Sequence, residues 1–296
     1  MRSPRKGKRL RSQKYKLMTI GIIISTYNNP AQLAKTLFGY TQQTVAPDEI
    51  VVADDGSTDE TRKLIDSFRG KLPIKHVWHE DRGFQKSEIL NKAIKAATAD
   101  YLIFTDQDCI PRADFIAAHR AFAREGRYLS GGYFKLSRPI SERLTDDDIA
   151  SGRAFSALWL RSQGQPFSFK MRKLICGKVW GRIINHITPR AATFNGCNSS
   201  CWRKDAIAVN GYNELMHYGG QDREFGLRLK NSGIRPTQIA YSAIVLHLDH
   251  DRPYKTKETM EANRRIMEET VRTRRRWTEM GISHAEGAKT EQTANK

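Results

Sequence analysis

Four short apolar runs, at residues 20–24, 50–53, 74–79 and 101–105, alternate with stretches whose apolar residues recur at helical spacing. Runs of this length, rich in β-branched and aromatic residues, read as buried strands. Pro30 opens one of the intervening patterns, through Leu33, Leu37 and Tyr40, and its fixed φ suits a first helical turn. Strands that alternate with helices lie mainly parallel, because each helix returns the chain to the edge where the previous strand began. The expected class is therefore α/β, a Rossmann-like mainly parallel sheet flanked by helices. Polar loops follow the first, second and fourth strands, at the carboxyl edge where open α/β sheets bind their ligands.

Those loops carry the chemistry. Ser25-Thr26-Tyr27-Asn28 ends the first run, Asp54-Asp55-Gly56-Ser57-Thr58-Asp59 the second, and Asp106-Gln107-Asp108 the fourth. Ser57, Thr58 or Asp59 suits the cap of the helix that follows, but capping does not account for the Asp54-Asp55 pair. A single Asp-x-Asp is commonly a solvated turn. Alternate carboxylates on an extended tip can also hold a hard divalent cation and leave room for phosphate oxygens. The third run leads into Asp81-Arg82-Gly83-Phe84 and a helix from about Gln85. Farther on, Gly219-Gly220-Gln221-Asp222-Arg223-Glu224 precedes an amphipathic helix over 225–230, and His247-Leu248-Asp249-His250 follows an apolar strand over 243–246. A carboxylate behind a glycine pair reaches into a cleft at little steric cost. Asp222 and Glu224 would also interact favourably with a helix N-terminus.

Taken in order, Ser-Thr-Tyr-Asn (25–28), Asp-Asp-Gly-Ser-Thr-Asp (54–59), Gly-Phe-x6-Asn-Lys-Ala-Ile (83–94), Asp-Gln-Asp (106–108), Gly-Gly-Gln-Asp-Arg-Glu (219–224) and His-x2-His (247–250) span most of the chain. Residues 18–250 resemble a family 2 glycosyltransferase with the GT-A fold. The 219–224 block is similar to the galactosyltransferase-type C-terminal half of bacterial lipopolysaccharide and chondroitin-type transferases. The resemblance implies inverting, metal-dependent hexosyl transfer from a nucleotide diphosphate donor, a UDP-sugar, to a saccharide or glycolipid acceptor. Its setting would be lipopolysaccharide or other surface glycan synthesis.

By the same resemblance Ser25, Tyr27 and Asp55 bind the nucleotide, Tyr27 by packing on the base and Asp55 by accepting a pyrimidine N–H. Asp106 meets the donor and, with Asp108 and His247, would hold Mn2+ or Mg2+. His247 is chosen over His250 because it directly follows the strand. Asn195, Gly196, Gln221 and Glu224 would meet the donor sugar or the acceptor, and Asp222 is the implied catalytic base. Two departures stand out. The arginines of many relatives are missing from 83–91, leaving Lys86 to face the phosphates as a point charge rather than a fork. Gln221 stands where relatives often carry Glu. These departures keep open an alternative, a catalytically inactive sugar- or nucleotide-binding relative.

Charge adds a further constraint, a net +18 with pI ≈ 9.9. The expected organisation is a basic N-terminal tail at 1–17, a glycosyltransferase domain at 18–250 with halves meeting at 125–126, a basic C-terminal helix within 251–282, and a disordered tail at 283–296. Cations crowd 1–16 and 264–276 and interleave with apolar residues over 161–190. That pattern suits a cytoplasmic protein attached peripherally to the anionic inner face of the membrane. No nucleic-acid module accompanies the charge, so no nucleic-acid partner is expected. Residues 20–24 are too short for the core of a signal peptide and are needed as the first strand. Cys109, Cys176, Cys197 and Cys201 show no paired framework and read as reduced thiols. The sequon at Asn198 is expected to carry no glycan.

Overall fold

The computed structural model describes residues 18–175, 178–188, 192–251 and 256–283. The basic tail at 1–17, Cys176 and the tail from 284 onward lie outside the described residues.

The first half follows the expected alternation: β1 (Ile20–Thr26), α1 (Pro30–Thr41), β2 (Glu49–Asp54), α2 (Asp59–Phe68), β3 (Ile74–Trp78), α3 (Lys86–Ala96) and β4 (Tyr101–Asp106). Next come β5 (Cys109–Pro111), α4 (Phe115–Phe122), β6 (Arg127–Ser130) and β7 (Gly132–Lys135). Short helices α5 (Arg138–Arg143), α6 (Asp146–Ala150), α7 (Ala157–Ser162), α8 (Arg172–Ile175) and α9 (Lys178–Ile187) lead to β8 (Ser199–Trp202) and α10 (Arg203–Ala208). The described chain ends with α11 (Gln221–Asn231), β9 (Arg235–Gln238), β10 (Ile244–His247) and α12 (Lys257–Arg272).

Seven strands form one sheet in the order β3-β2-β1-β4-β8-β6-β9, and β5-β10-β7 form a smaller one. Strands β1 to β4 are mutually parallel, whereas β8 runs antiparallel between β4 and β6. Side chains alternate along β1. Ile20, Ile22 and Ile24 pack in one layer with Leu33, Leu37 and Tyr40 of α1, while Ile23 packs in the other with Ile89 and Ala93 of α3. Both faces are covered, which is why the strand is continuously apolar.

Register places the functional loops. Ser25 pairs with Ala53 on one side and Asp106 on the other, so the loops after β1, β2 and β4 emerge side by side. Because β8 is antiparallel, pairing of Phe104 with Ser199 brings residues 195–198 to that same edge. Pairing of His247 with Cys109 sets the end of β10 against Asp108. Asn198 is fully buried, its Nδ2 donating to the carbonyls of Gly132 and Ala243, so its sequon is closed to modification in the fold. Cys109, Cys197 and Cys201 are buried and free.

Candidate active site

A cleft of about 1020 Å³ runs along the carboxyl edges of β1, β2 and β4, with the head of α11 on its far side. Asp106 ends β4. Ser25 Oγ donates to its Oδ1 at 2.7 Å, and Lys86 Nζ approaches the same oxygen at 2.6 Å. Ser25, expected beside the base, lines the cleft and also orients the first carboxylate. Gln107 is more than a spacer. It accepts from the Tyr27 N–H at 3.0 Å and donates to the Tyr27 carbonyl at 3.2 Å, lacing β1 to β4.

Asp108 is 4% exposed and meets two imidazoles. His250 Nε2 lies 2.9 Å from Oδ2 and His247 Nδ1 3.4 Å from the same oxygen, the two rings stacked at 5.7 Å. Burial works to raise the Asp108 carboxyl, but the imidazoles of His247 and His250 outweigh it and bring it to about 2. Position after the strand favoured His247; the chain folds back after β10 so that both rings reach Asp108, His250 the closer. His247 Nδ1 donates to the Leu248 carbonyl at 2.8 Å, so in the neutral ring Nε2 carries the lone pair. Ligand atoms of Asp108, Cys109 and His247 lie within 4.8 Å of one another, with Asp106 two residues away. Carboxylate oxygens with an imidazole nitrogen form a donor set that fits a divalent cation.

On the β2 side, Asp55 uses both oxygens. His79 Nε2 meets Oδ1 at 2.7 Å, and the Gln85 N–H donates to Oδ2 at 3.0 Å. Lys92 donates to His79 Nδ1 at 3.0 Å, so Nε2–H is the donor toward Asp55. Each oxygen keeps lone-pair capacity for a further donor. Tyr27 is half-buried in the cleft wall, its hydroxyl donating to Asp81 Oδ2 at 2.8 Å. That bond is the main cause that raises its phenol above the usual range. Arg82 turns away to Glu88 at 3.1 Å, which leaves Lys86 as the cation of the 83–91 segment at the carboxylates.

Across the cleft, α11 begins at Gln221 rather than after Glu224, so Asp222 lies in its first turn. Gly219 and Gly220 precede it at φ 101° and 94°, a left-handed conformation that favours glycine. The Asp222 carboxylate lies against Gly196, where a Cβ would come within 2.7 Å of Oδ1. That oxygen is buried and has no partner in full hydrogen-bond geometry, although the Gly196 N–H and the Tyr212 hydroxyl approach the carboxylate and favour its charged form. Burial raises the Asp222 pKa, the Lys86 ammonium opposes this and the Asp106 charge adds to it; the net direction is upward. Lys86 shows the converse. Burial works against its charge, but the carboxylates of Asp106 and Asp222 push it above the usual lysine range.

Three of the residues expected to contact sugars lie elsewhere. Glu224 is fully buried, ion-paired with the equally buried Arg228 at 2.8 Å and bonded by Thr270 Oγ1 at 3.1 Å. It anchors α11, and losing it would strand a buried guanidinium. Asn195 accepts from the Cys197 thiol and donates its N–H to Ser199 Oγ, and it does not line the cleft. Gly196 is also absent from the cleft wall and sits behind Asp222. Gln221 does line the cleft, its Oε1 accepting from the Gly219 N–H at 3.0 Å. Sequence reasoning missed His79, Gln107, the Phe84–Tyr218 ring pair at 5.7 Å, and Met260 of α12, all but His79 lining the cleft. Gln107 and Phe84 carried a visible signal, their places inside the Asp-x-Asp and Gly-Phe motifs.

Residues 21–169 match the family model for glycosyl transferase family 2, and residues 184–251 match that for the N-terminal domain of galactosyltransferase. Validoxylamine A glucosyltransferase of Streptomyces hygroscopicus subsp. limoneus is 30% identical over 80% of this chain and 53% of its own length. Hyaluronan synthase of Pasteurella multocida is 32% identical over 72% of this chain and 23% of its own length. The chain thus spans about half the length of the first relative and less of the second. Staphylococcus aureus TarS 1-349 in complex with UDP gives a TM-score of 0.58 at 17% identity, covering 84% of this chain and 64% of that one. The mannosyltransferase PcManGT from Pyrobaculum calidifontis, in complex with GDP-Man and Mn2+, gives 0.54 at 17% identity, covering 83% and 64%. Likeness at this identity establishes a shared GT-A fold.

Proposed function

Because this chain belongs to glycosyl transferase family 2, we propose that it is a hexosyltransferase using a UDP-sugar, acting on a saccharide hydroxyl with inversion at the anomeric carbon. One observation carries the reading. Asp106 and Asp108 at the end of β4 face Asp222 at the head of α11 across one cleft, and Asp222 Oδ1 lacks a partner in full hydrogen-bond geometry. In this mechanism Asp222 takes the acceptor hydroxyl's proton while the acceptor oxygen bonds to the anomeric carbon, opposite the breaking bond to the nucleoside diphosphate. Burial makes Asp222 a stronger base than a solvated aspartate, and Lys86 favours its ionised form. Lys86 also offers its charge to the donor's phosphates. Asp55, steadied by His79 and the Gln85 N–H, accepts the N–H of a uracil-type base, with Tyr27 alongside. A divalent cation held by Asp106, Asp108 and His247 would neutralise charge growing on the leaving diphosphate.

The acceptor in this reading is a glycolipid of a surface glycan such as lipopolysaccharide, met at the inner face of the cytoplasmic membrane. No acid occurs between Asp148 and Asp205. Within that stretch Phe167, Phe169, Ile175 and Ile187 are 68–80% exposed among the exposed cations Arg161, Lys170 and Arg172. Apolar groups beside cations suit an anionic interface. Sedimentation with phosphatidylglycerol-containing vesicles is expected to pull the protein down at low salt and release it at high salt. Absence of binding at low salt would refute the attachment.

The decisive test of activity is turnover of UDP-sugars with Mn2+ and saccharide acceptors. Transfer from one such donor is expected. Tight UDP binding with no turnover of any sugar nucleotide would favour the inactive relative instead.

A further inference from the structure

Helix α12 starts at Lys257, beyond both family matches, which end at 169 and 251. It nevertheless lies against the loop that delivers Asp222. Asn263, at mid-helix and 1% exposed, holds its Nδ2 2.9, 3.1 and 2.6 Å from the carbonyl oxygens of His217, Tyr218 and Gly219, its two N–H groups shared among the three. None of these three consecutive carbonyls accepts a backbone N–H among the described residues. The single amide therefore does what a strand or helix partner would otherwise do.

Its neighbours on the helix reinforce it. A Cβ on Gly219 would fall 2.5 Å from Met260 Sδ, and one on Gly220 would fall 3.1 Å from Met267 Sδ. Residues 260, 263 and 267 follow the 3–4 spacing of one helical face. That face lies along residues 217–220, and Met260 also lines the cleft. Thr270 continues the face but bonds Glu224 instead of the loop.

We infer that α12 is a strut that aims the catalytic base. Asn263 holds the 217–219 carbonyls so that the Gly219-Gly220 turn presents Asp222 to the cleft, and Met260 walls the cleft beside that turn. The inference rests on the reading of Asp222 as the base. Asn263 touches no substrate in it; it is a positioning residue.

The test compares two variants of the full chain. Asn263→Ala frees the loop, whereas Thr270→Ala removes a contact of the same helix away from it. Displacement of a reacting group by about 1 Å can cost about 10²-fold, so Asn263→Ala is expected to lower kcat on that scale and raise the acceptor KM. The donor KM should stay unchanged, because Asp55 and Tyr27 lie on the β1–β2 side of the cleft. Thr270→Ala should lower Tm and leave kcat unchanged. Amide hydrogen exchange at 218–221 should rise in Asn263→Ala and not in Thr270→Ala. Asn263→Ser, which keeps one donor, carries the same comparison if the alanine variant does not fold.

Unchanged exchange and kcat in a folded Asn263 variant would overturn the strut, as would kcat losses in both variants that simply track Tm. Exchange is read without turnover, so the two readings fail separately. Raised exchange together with a fully active Asp222→Asn enzyme would remove the base assignment and leave the strut standing.

Discussion

Asp222→Asn is expected to lower kcat by about 10²–10⁴ while UDP binding is retained, the size of effect that loss of a general base produces. The substitution is nearly isosteric, so the fit against Gly196 is preserved while the proton acceptor is lost. Donor affinity should survive because Asp55, Tyr27 and Lys86 are untouched. The measurement is kcat and donor KM for wild type and variant, and full activity of Asp222→Asn would show the base to be another group. A pH dependence accompanies it. The Asp222 pKa is raised by burial, so the acid limb of the rate profile should lie above the ordinary aspartate range of about 3.9. The stability sign follows from linkage. A carboxyl whose folded pKa is raised favours folding below its unfolded pKa, and that contribution is lost as pH rises through the folded value. Relative to wild type, Asp222→Asn should therefore gain Tm as pH rises through that window.

Asp108→Asn should be comparably damaging, lowering kcat/KM by about 10³, which corresponds to about 4 kcal/mol of lost charge stabilisation. Asp108 lies where both histidine rings converge, so its replacement leaves Asp106 without its carboxylate partner across the turn. Wild-type enzyme should lose turnover on chelation with EDTA and regain it with Mn2+, whereas the variant should regain little. Full wild-type turnover after exhaustive chelation would rule out the metal role. Because Asp108 is buried, circular dichroism should accompany the kinetics to confirm that the variant folds.

Much of the architecture was legible from residue order because β1, β2 and β4 are covered on both faces and so had to be apolar throughout. Their alternation with α1 to α3 dictated parallel pairing, which brings Ser25, Asp55 and Asp106 to one edge. Asp108, Lys86, Gln221 and Asp222 also reach the cleft. His79 was not legible. Its role depends on the tautomer set by Lys92, thirteen residues further along the chain.

The sequence alone determined the α/β class and the edge where the ligand chemistry gathers, because strand burial and crossover topology are written in local patterns. Only the tertiary structure showed that Asp222 reaches the cleft while Glu224 does not. Once α11 starts at Gln221, successive residues rotate by about 100°, so carboxylates two apart point to nearly opposite faces. One meets the cleft and the other is buried against Arg228 and Thr270. The same holds for Asn263 and His250. Their partners lie far along the chain, and no short-range pattern records such contacts.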